Sequence, residues 1–185
     1  MNKVFGNYEV AIRDEPTYSR NSTDNPRSYI NEYCRNDKYE HVSAHGINVS
    51  ENEEILGSAV LLGVGGATRV NDNSLAFNGT SLYVAAGDAL YSLSLPALKL
   101  NWCKKVDFAT CFGVFWLDDR SCLLTWGELE IGCYSKDGEK LWSTSGPDIF
   151  TEGMEVHGGI AKVTDFNGDV HEINLSNGAI SSANT

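Results

Sequence analysis

The chain has 185 residues, 42% of them hydrophobic and 21% charged, which gives enough apolar surface for one packed core and excludes wholesale disorder. Its formal charge is −11, with six basic against ten acidic residues up to position 54 and eight against fifteen after it, so the acidity is spread along the chain. Such a surface repels nucleic acid and anionic membranes, whose binding begins with phosphate neutralisation by Lys and Arg, and it steers basic proteins inward.

The first residues carry no apolar stretch of signal-peptide length, and no later run reaches the roughly 20 apolar residues of a membrane span. The expectation is a soluble, cytoplasmic protein. Tyr8–Ile12 alternates as a strand does. Residues 11–54 are rich in turn formers (Asp14-Glu-Pro16, Asn21 to Pro26, Glu51-Asn-Glu-Glu54) and read as a polar, loop-rich segment packed on the same unit as the rest. Within it, Tyr29, Ile30 and Tyr33 at helical spacing predict a short helix over 26–37.

From Ile55 to the end the texture changes to short β-rich runs broken by Gly, Asn-Gly and Asp-Gly, predicting a mostly β fold of antiparallel sheets over 55–185. A repeat of about 40 residues organises this region. Leu82 to Trp102 aligns without a gap on Cys122 to Trp142, equating Gly87 with Gly127 and Trp102 with Trp142. A third, degenerate copy runs from Ile160 to Ile180, and Gly57–Val70 reads as the inner strand of a partial earlier one. Each copy has strand, turn at Gly, alternating strand, second turn (Lys136-Asp-Gly138, Ser176-Asn-Gly178) and a closing strand whose large apolar residue fills the gap between neighbouring sheets.

Leu82-Tyr-Val, Gly87-Asp-Ala-Leu-Tyr-Ser-Leu and Asp137-Gly-Glu-Lys-Leu-Trp142 together resemble the blades of quinoprotein-type (PQQ-like) β-propellers, over roughly residues 74–181. The resemblance implies about three blade-like repeats, either completed by the N-terminal segment into a partial or small propeller or curled into an irregular barrel or sandwich; open sheet edges would pair with a second copy as a homodimer. It does not extend to the family's cofactor chemistry, because neither a calcium site nor a vicinal cysteine pair can be matched; no cofactor or metal is expected. The five cysteines (34, 103, 111, 122, 133) lack a CxxC pair and read as reduced, mostly buried thiols.

Four other patterns are weighed against plainer readings. Gly63-Val-Gly65-Gly66 follows an apolar run but precedes no helix, so a glycine bend for close sheet packing is preferred to a phosphate loop. Asp165-Phe-Asn-Gly-Asp169 starts like a calcium loop but has Val170 where glycine belongs and Ser176 at the position of the bidentate Glu, so it reads as a hairpin turn. The histidines (41, 45, 157, 171) show no ligand or catalytic spacing, and no enzyme activity is expected. Glu128 and Glu130 flank Leu129 as a strand alternates, placing both carboxylates on one face beside Trp126; with Trp116, Asp118, Asp119 and Asp148 they form the candidate partner-binding patch, aromatic anchors among acids.

The stretch from His45 to Phe150, above all Ser58-Ala-Val-Leu-Leu-Gly-Val-Gly-Gly-Ala-Thr68, Phe108-Ala-Thr-Cys-Phe112 and Gly127-Glu-Leu-Glu-Ile131, is similar to small bacterial β proteins, among which some acidic cytoplasmic members are immunity proteins that block a toxin. This resemblance implies a non-catalytic module neutralising a basic toxin domain, with no nucleic-acid or membrane partner. The alternative is an enzyme or carbohydrate-binding protein with its site at the propeller-like axis.

Overall fold

The computed structural model describes residues 1–36 and 38–182, and these contain strands, turns and loops but no helix; none is therefore long and apolar enough to cross a membrane. Among these described residues seventeen strands form four sheets. The first sheet has the order β1 (Asn2–Phe5), β2 (Tyr8–Asp14), β4 (Ser43–Glu51), β5 (Glu54–Gly63) and β3 (Asn31–Cys34). It is antiparallel except that β3 runs parallel to β5.

Three four-stranded antiparallel meanders follow. The second sheet holds β6 (Leu75–Phe77), β7 (Ser81–Ala86), β8 (Ala89–Ser94) and β9 (Lys99–Lys105). The third holds β10 (Cys111–Leu117), β11 (Cys122–Gly127), β12 (Ile131–Ser135) and β13 (Lys140–Thr144). The fourth holds β14 (Gly153–His157), β15 (Ile160–Thr164), β16 (Val170–Asn174) and β17 (Ile180–Ser182).

Period-2 alternation explains how the sheets stack. In β7, Leu82, Val84 and Ala86 pack with Val10, Ile47 and Leu61 of the first sheet, while Tyr83 and Ala85 turn to Val114 and Leu123 of the third. Strand β11 divides likewise: Leu123 faces the second sheet, and Cys122 and Leu124 pack with Ala161, Val163 and Ile173 of the fourth. The central strands of both middle sheets (β7, β8, β11 and β12) are buried on two faces and carry few charged residues, whereas the outer strands β9 and β13 are largely exposed. Each fully buried Leu or Val contributes about 2 kcal/mol, which makes these three layers the main source of cohesion.

The end faces are closed differently. Tyr18 and Tyr29 of the long β2–β3 loop cover Ala44, Val60 and Leu62 on the first sheet. The fourth sheet instead turns outward exposed Glu155 and Lys162, the latter 3.0 Å from Glu172. No hydrophobic cluster among the described residues joins the fourth sheet to the first.

The four residues that set the repeat occupy corresponding places. Gly87 and Gly127 stand at the β7–β8 and β11–β12 connections. Each tryptophan follows a bulge: Ser92 pairs with Trp102 and Leu93 with Leu100, and Cys133 pairs with Trp142 and Tyr134 with Lys140. Trp102 of the second sheet lies against Gly138 in the β12–β13 turn, and Trp142 of the third against Gly178 before β17. Both glycines have positive φ, +81° and +73°, and a Cβ at either would run into the indole. Each tryptophan, half-buried, is thus packed against a turn glycine of the next sheet.

Three local expectations need correction. Residues 26–36 form no helix; residues 31–34 are β3, and the last position of the predicted segment, 37, lies outside the described residues. The spacing of Tyr29, Ile30 and Tyr33 has another cause: Tyr29 rests on Gly46 and donates to the buried Glu15 at 2.6 Å, Ile30 is 76% exposed, and the Tyr33 hydroxyl bonds Leu98 O at 3.2 Å. The segment before position 54 is less loop-rich than its composition implies, since it supplies four strands of the first sheet. Residues 57–63 belong to β5, the fourth of five strands across that sheet, but residues 64–70 lie outside any strand, so the expected inner strand is only half as long as read.

Candidate partner-binding site

Strand register fixes which loops share an end of the molecule. Cys111 pairs with Gly127, Ile131 with Thr144 and Gly153 with Thr164, so the connections 106–110, 128–130, 145–152 and 165–169 all lie at one end. Backbone bonds join them in series: Glu128 N to Thr110 O (2.7 Å), Phe150 N to Glu128 O (2.8 Å) and Phe166 N to Ile149 O (2.8 Å). Gly66 N extends the series to Ala109 O at 2.8 Å.

Asp107, buried among these loops, holds them. Its Oδ1 accepts the N–H groups of Ala109 (2.6 Å) and Thr110 (3.0 Å), and its Oδ2 those of Leu129 and Glu130 (2.9 Å each). A Cβ at Gly127 would overlap that carboxylate, which explains the glycine. Asp107 escapes sequence reasoning because its four partners come from two loops; only the local Asp-Phe-Ala-Thr turn pattern was available as a signal.

The residues expected to form one patch divide between two ends. Trp126, Glu128, Glu130 and Asp148 stand at the end just described. Trp126 is half-buried, donates Nε1–H to Phe150 O at 2.8 Å and packs on Phe112, so it braces the loops. Glu130 pairs with Lys140 at 2.9 Å, and Asp148 accepts from Asn167 Nδ2 at 2.5 Å. Glu128 has no side-chain partner among the described residues. Both glutamates belong to the β11–β12 turn and not to a strand: Glu128 N–H goes to Thr110 O and Glu130 N–H to Asp107 Oδ2.

Trp116, Asp118 and Asp119 lie at the opposite end, beyond the length of β11, about 16 Å at 3.3 Å per residue. Trp116 Nε1 donates to Asp118 Oδ1 at 2.7 Å while its ring stacks on Tyr83, and Asp119 is 3.5 Å from Arg120. Those three residues form a separate surface.

A second constellation appears beside a cavity of about 400 Å³ lined in part by Asp14, His41, Ser43, Thr68 and Arg69. His45 is fully buried in β4, with Nε2 2.9 Å from Thr68 Oγ1 and Nδ1 3.1 Å from Asp14 Oδ1. The carboxylate is within ion-pair distance of Nδ1 but off the N–H direction, so this contact is electrostatic more than a hydrogen bond. Asp, His and Thr stand in the order of a hydrolytic triad, yet Thr68 Oγ1 also accepts Gly87 N–H at 3.0 Å. The hydroxyl is held from two sides and clamps the first sheet to the β7–β8 turn. Burial lowers the His45 pKa, with Asp14 opposing.

The remaining motifs resolve as packing. A Cβ on Gly63 would meet Gly87 N at 2.6 Å, so the glycine bend serves close approach of two backbones. Asp165 Oδ1 accepts Asn167 and Asp169 N–H at 3.0 Å each and Oδ2 faces His171 at 2.8 Å, which makes the segment a turn; the His171 bond above all holds the Asp165 carboxyl below its ordinary pKa. All five cysteines are free, and burial pushes the Cys103, Cys111 and Cys133 thiols up to about 12.

No protein-family model matches the chain, and no curated protein does. Solved structures do. A computationally designed protein, Ika8, aligns at 11% identity with a TM-score of 0.55, over 78% of this chain and 46% of that one. A chain of the mitotic checkpoint complex aligns at 12% with a TM-score of 0.57, over 75% and 46%. At such identities the likeness is one of fold alone. This chain spans just under half the length of either.

Proposed function

We propose that this protein is a non-catalytic protein-binding module, and that its partner is basic, in the manner of an immunity protein holding a toxin domain. The four side-by-side sheets are read as blades of a partial propeller, a scaffold that presents loops at its ends. The observation that carries the reading is the charge of the loop end. Its four connections (106–110, 128–130, 145–152 and 165–169) contain seven carboxylates and no Lys or Arg; Asp107 and Asp165 are buried, five (Glu128, Glu130, Asp148, Glu152 and Asp169) reach the surface, and of these Glu130 is paired with Lys140. Like charges gathered on a rigid surface raise the association rate of a cationic protein and supply complementarity without any reaction chemistry.

The test is co-purification from the native host with identification by mass spectrometry, followed by association kinetics of the recovered partner. Glu128→Lys with Glu130→Lys is expected to slow association about tenfold at low ionic strength, and the difference should shrink as salt is added. An association rate unchanged at every salt concentration would exclude this end of the molecule.

A further inference from the structure

At the same loop end, three large apolar side chains stand out of the surface, one in each of three connections. Phe108 is 72% exposed, Leu129 37% and Phe166 64%. The backbone that carries them is fixed: Asp107 bonds Leu129 N–H and the turn beginning at Phe108, and Phe166 N is tied to Ile149. Exposing a phenylalanine on a rigid loop forfeits the burial that a core position would give it, and doing so in neighbouring loops creates ready contact sites with little entropy left to lose. One face of Phe108 already holds a cation, with Lys105 Nζ 5.0 Å from the ring centroid.

We propose that Phe108, Leu129 and Phe166 are the anchors of the docking surface, and that the occupant is a cationic protein segment carrying large apolar side chains alternating with Arg or Lys. This inference rests on the partner-binding reading above and adds the chemistry of what is bound. The anchors select apolar side chains; the carboxylates around them (Glu128, Asp148 and Asp169 among others) select their basic neighbours. A purely apolar partner would leave those acids desolvated, and a purely basic one would leave the rings in water.

Two fluorescent 12-residue peptides of equal charge distinguish the contributions, one alternating Arg with Leu and one alternating Arg with Ser, with binding followed by anisotropy. The Arg/Leu peptide is expected to bind at least tenfold more tightly than the Arg/Ser peptide. The triple variant Phe108→Ser, Leu129→Ser, Phe166→Ser should abolish that preference while leaving the melting temperature unchanged, because all three side chains are exposed. Asp118→Lys with Asp119→Lys, at the other end, should change neither affinity. Equal binding of the two peptides, no binding of either, or an unaltered preference in the triple variant overturns the proposal. If the native partner remains sensitive to Glu128→Lys and Glu130→Lys but not to the triple variant, the anchors fail and the binding end stands; insensitivity to both sets removes the binding end itself.

Discussion

Replacing single turn glycines by alanine separates two costs that normally occur together. Gly138, Gly178 and Gly168 all have positive φ (+81°, +73° and +87°), so alanine at any of them pays the same backbone strain, about 1 kcal/mol. They differ in what the new methyl meets. Nothing lies within 4 Å of it at Gly168, Trp102 ring atoms lie at 3.0–3.1 Å at Gly138, and Trp142 Cε3 lies at 2.5 Å at Gly178. The Trp102 indole cannot slide aside freely, since its Nε1–H is held by Lys136 O at 3.0 Å. Displacing a packed ring adds about 1–2 kcal/mol, giving totals of about 1 for Gly168→Ala, 2–3 for Gly138→Ala and 3 for Gly178→Ala. In a domain of this size each kcal/mol lowers the melting temperature by about 2–4 °C. Thermal melts followed by far-UV circular dichroism, with urea titrations for the free energies, resolve differences of this size. Equal losses in all three variants would refute the argument that each tryptophan packs against a turn glycine of the next sheet.

Further outcomes follow from the buried polar groups. His45 has a lowered pKa in the folded state, so unfolding takes up a proton that folding excludes; stability is full above the unfolded His value of about 6.5 and falls as pH drops below it. Melts from pH 7.5 to 5 should show this slope, and His45→Gln should flatten it while lowering stability throughout. Asp107→Ala leaves four backbone N–H groups without their acceptor and should cost about 3 kcal/mol, with amide exchange rising first at 108–110 and 128–130. Asp88→Ala strips the largely buried Arg35 guanidinium of its two bonds, at 2.7 and 3.1 Å, and should cost about 3 kcal/mol in urea unfolding.

What the sequence revealed depended on whether a signal was local. Turn glycines and closing tryptophans are set by contacts that recur along the chain, so Gly87, Gly127, Trp102 and Trp142 were visible as a register. Strand β4 is hidden in the sequence because Ser43 and His45 are polar yet buried, each bonded to Thr68, which lies far away in sequence. Strand β3 reads as helix in the sequence because its residues answer to β5 and Leu98 and not to one another. The candidate patch was half legible. Acids and tryptophans could be counted, but only strand register shows that Trp116, Asp118 and Asp119 face away from Glu128, Glu130 and Asp148, and only exposure singles out Phe108, Leu129 and Phe166.

Hydrogen exchange of the free protein and of its complex with the co-purified partner tests the location of the binding surface most directly. Protection should appear at 106–110, 128–130, 145–152 and 165–169 and be absent at 118–121. Protection confined to 118–121, or to the loop covering the first sheet, would contradict the account.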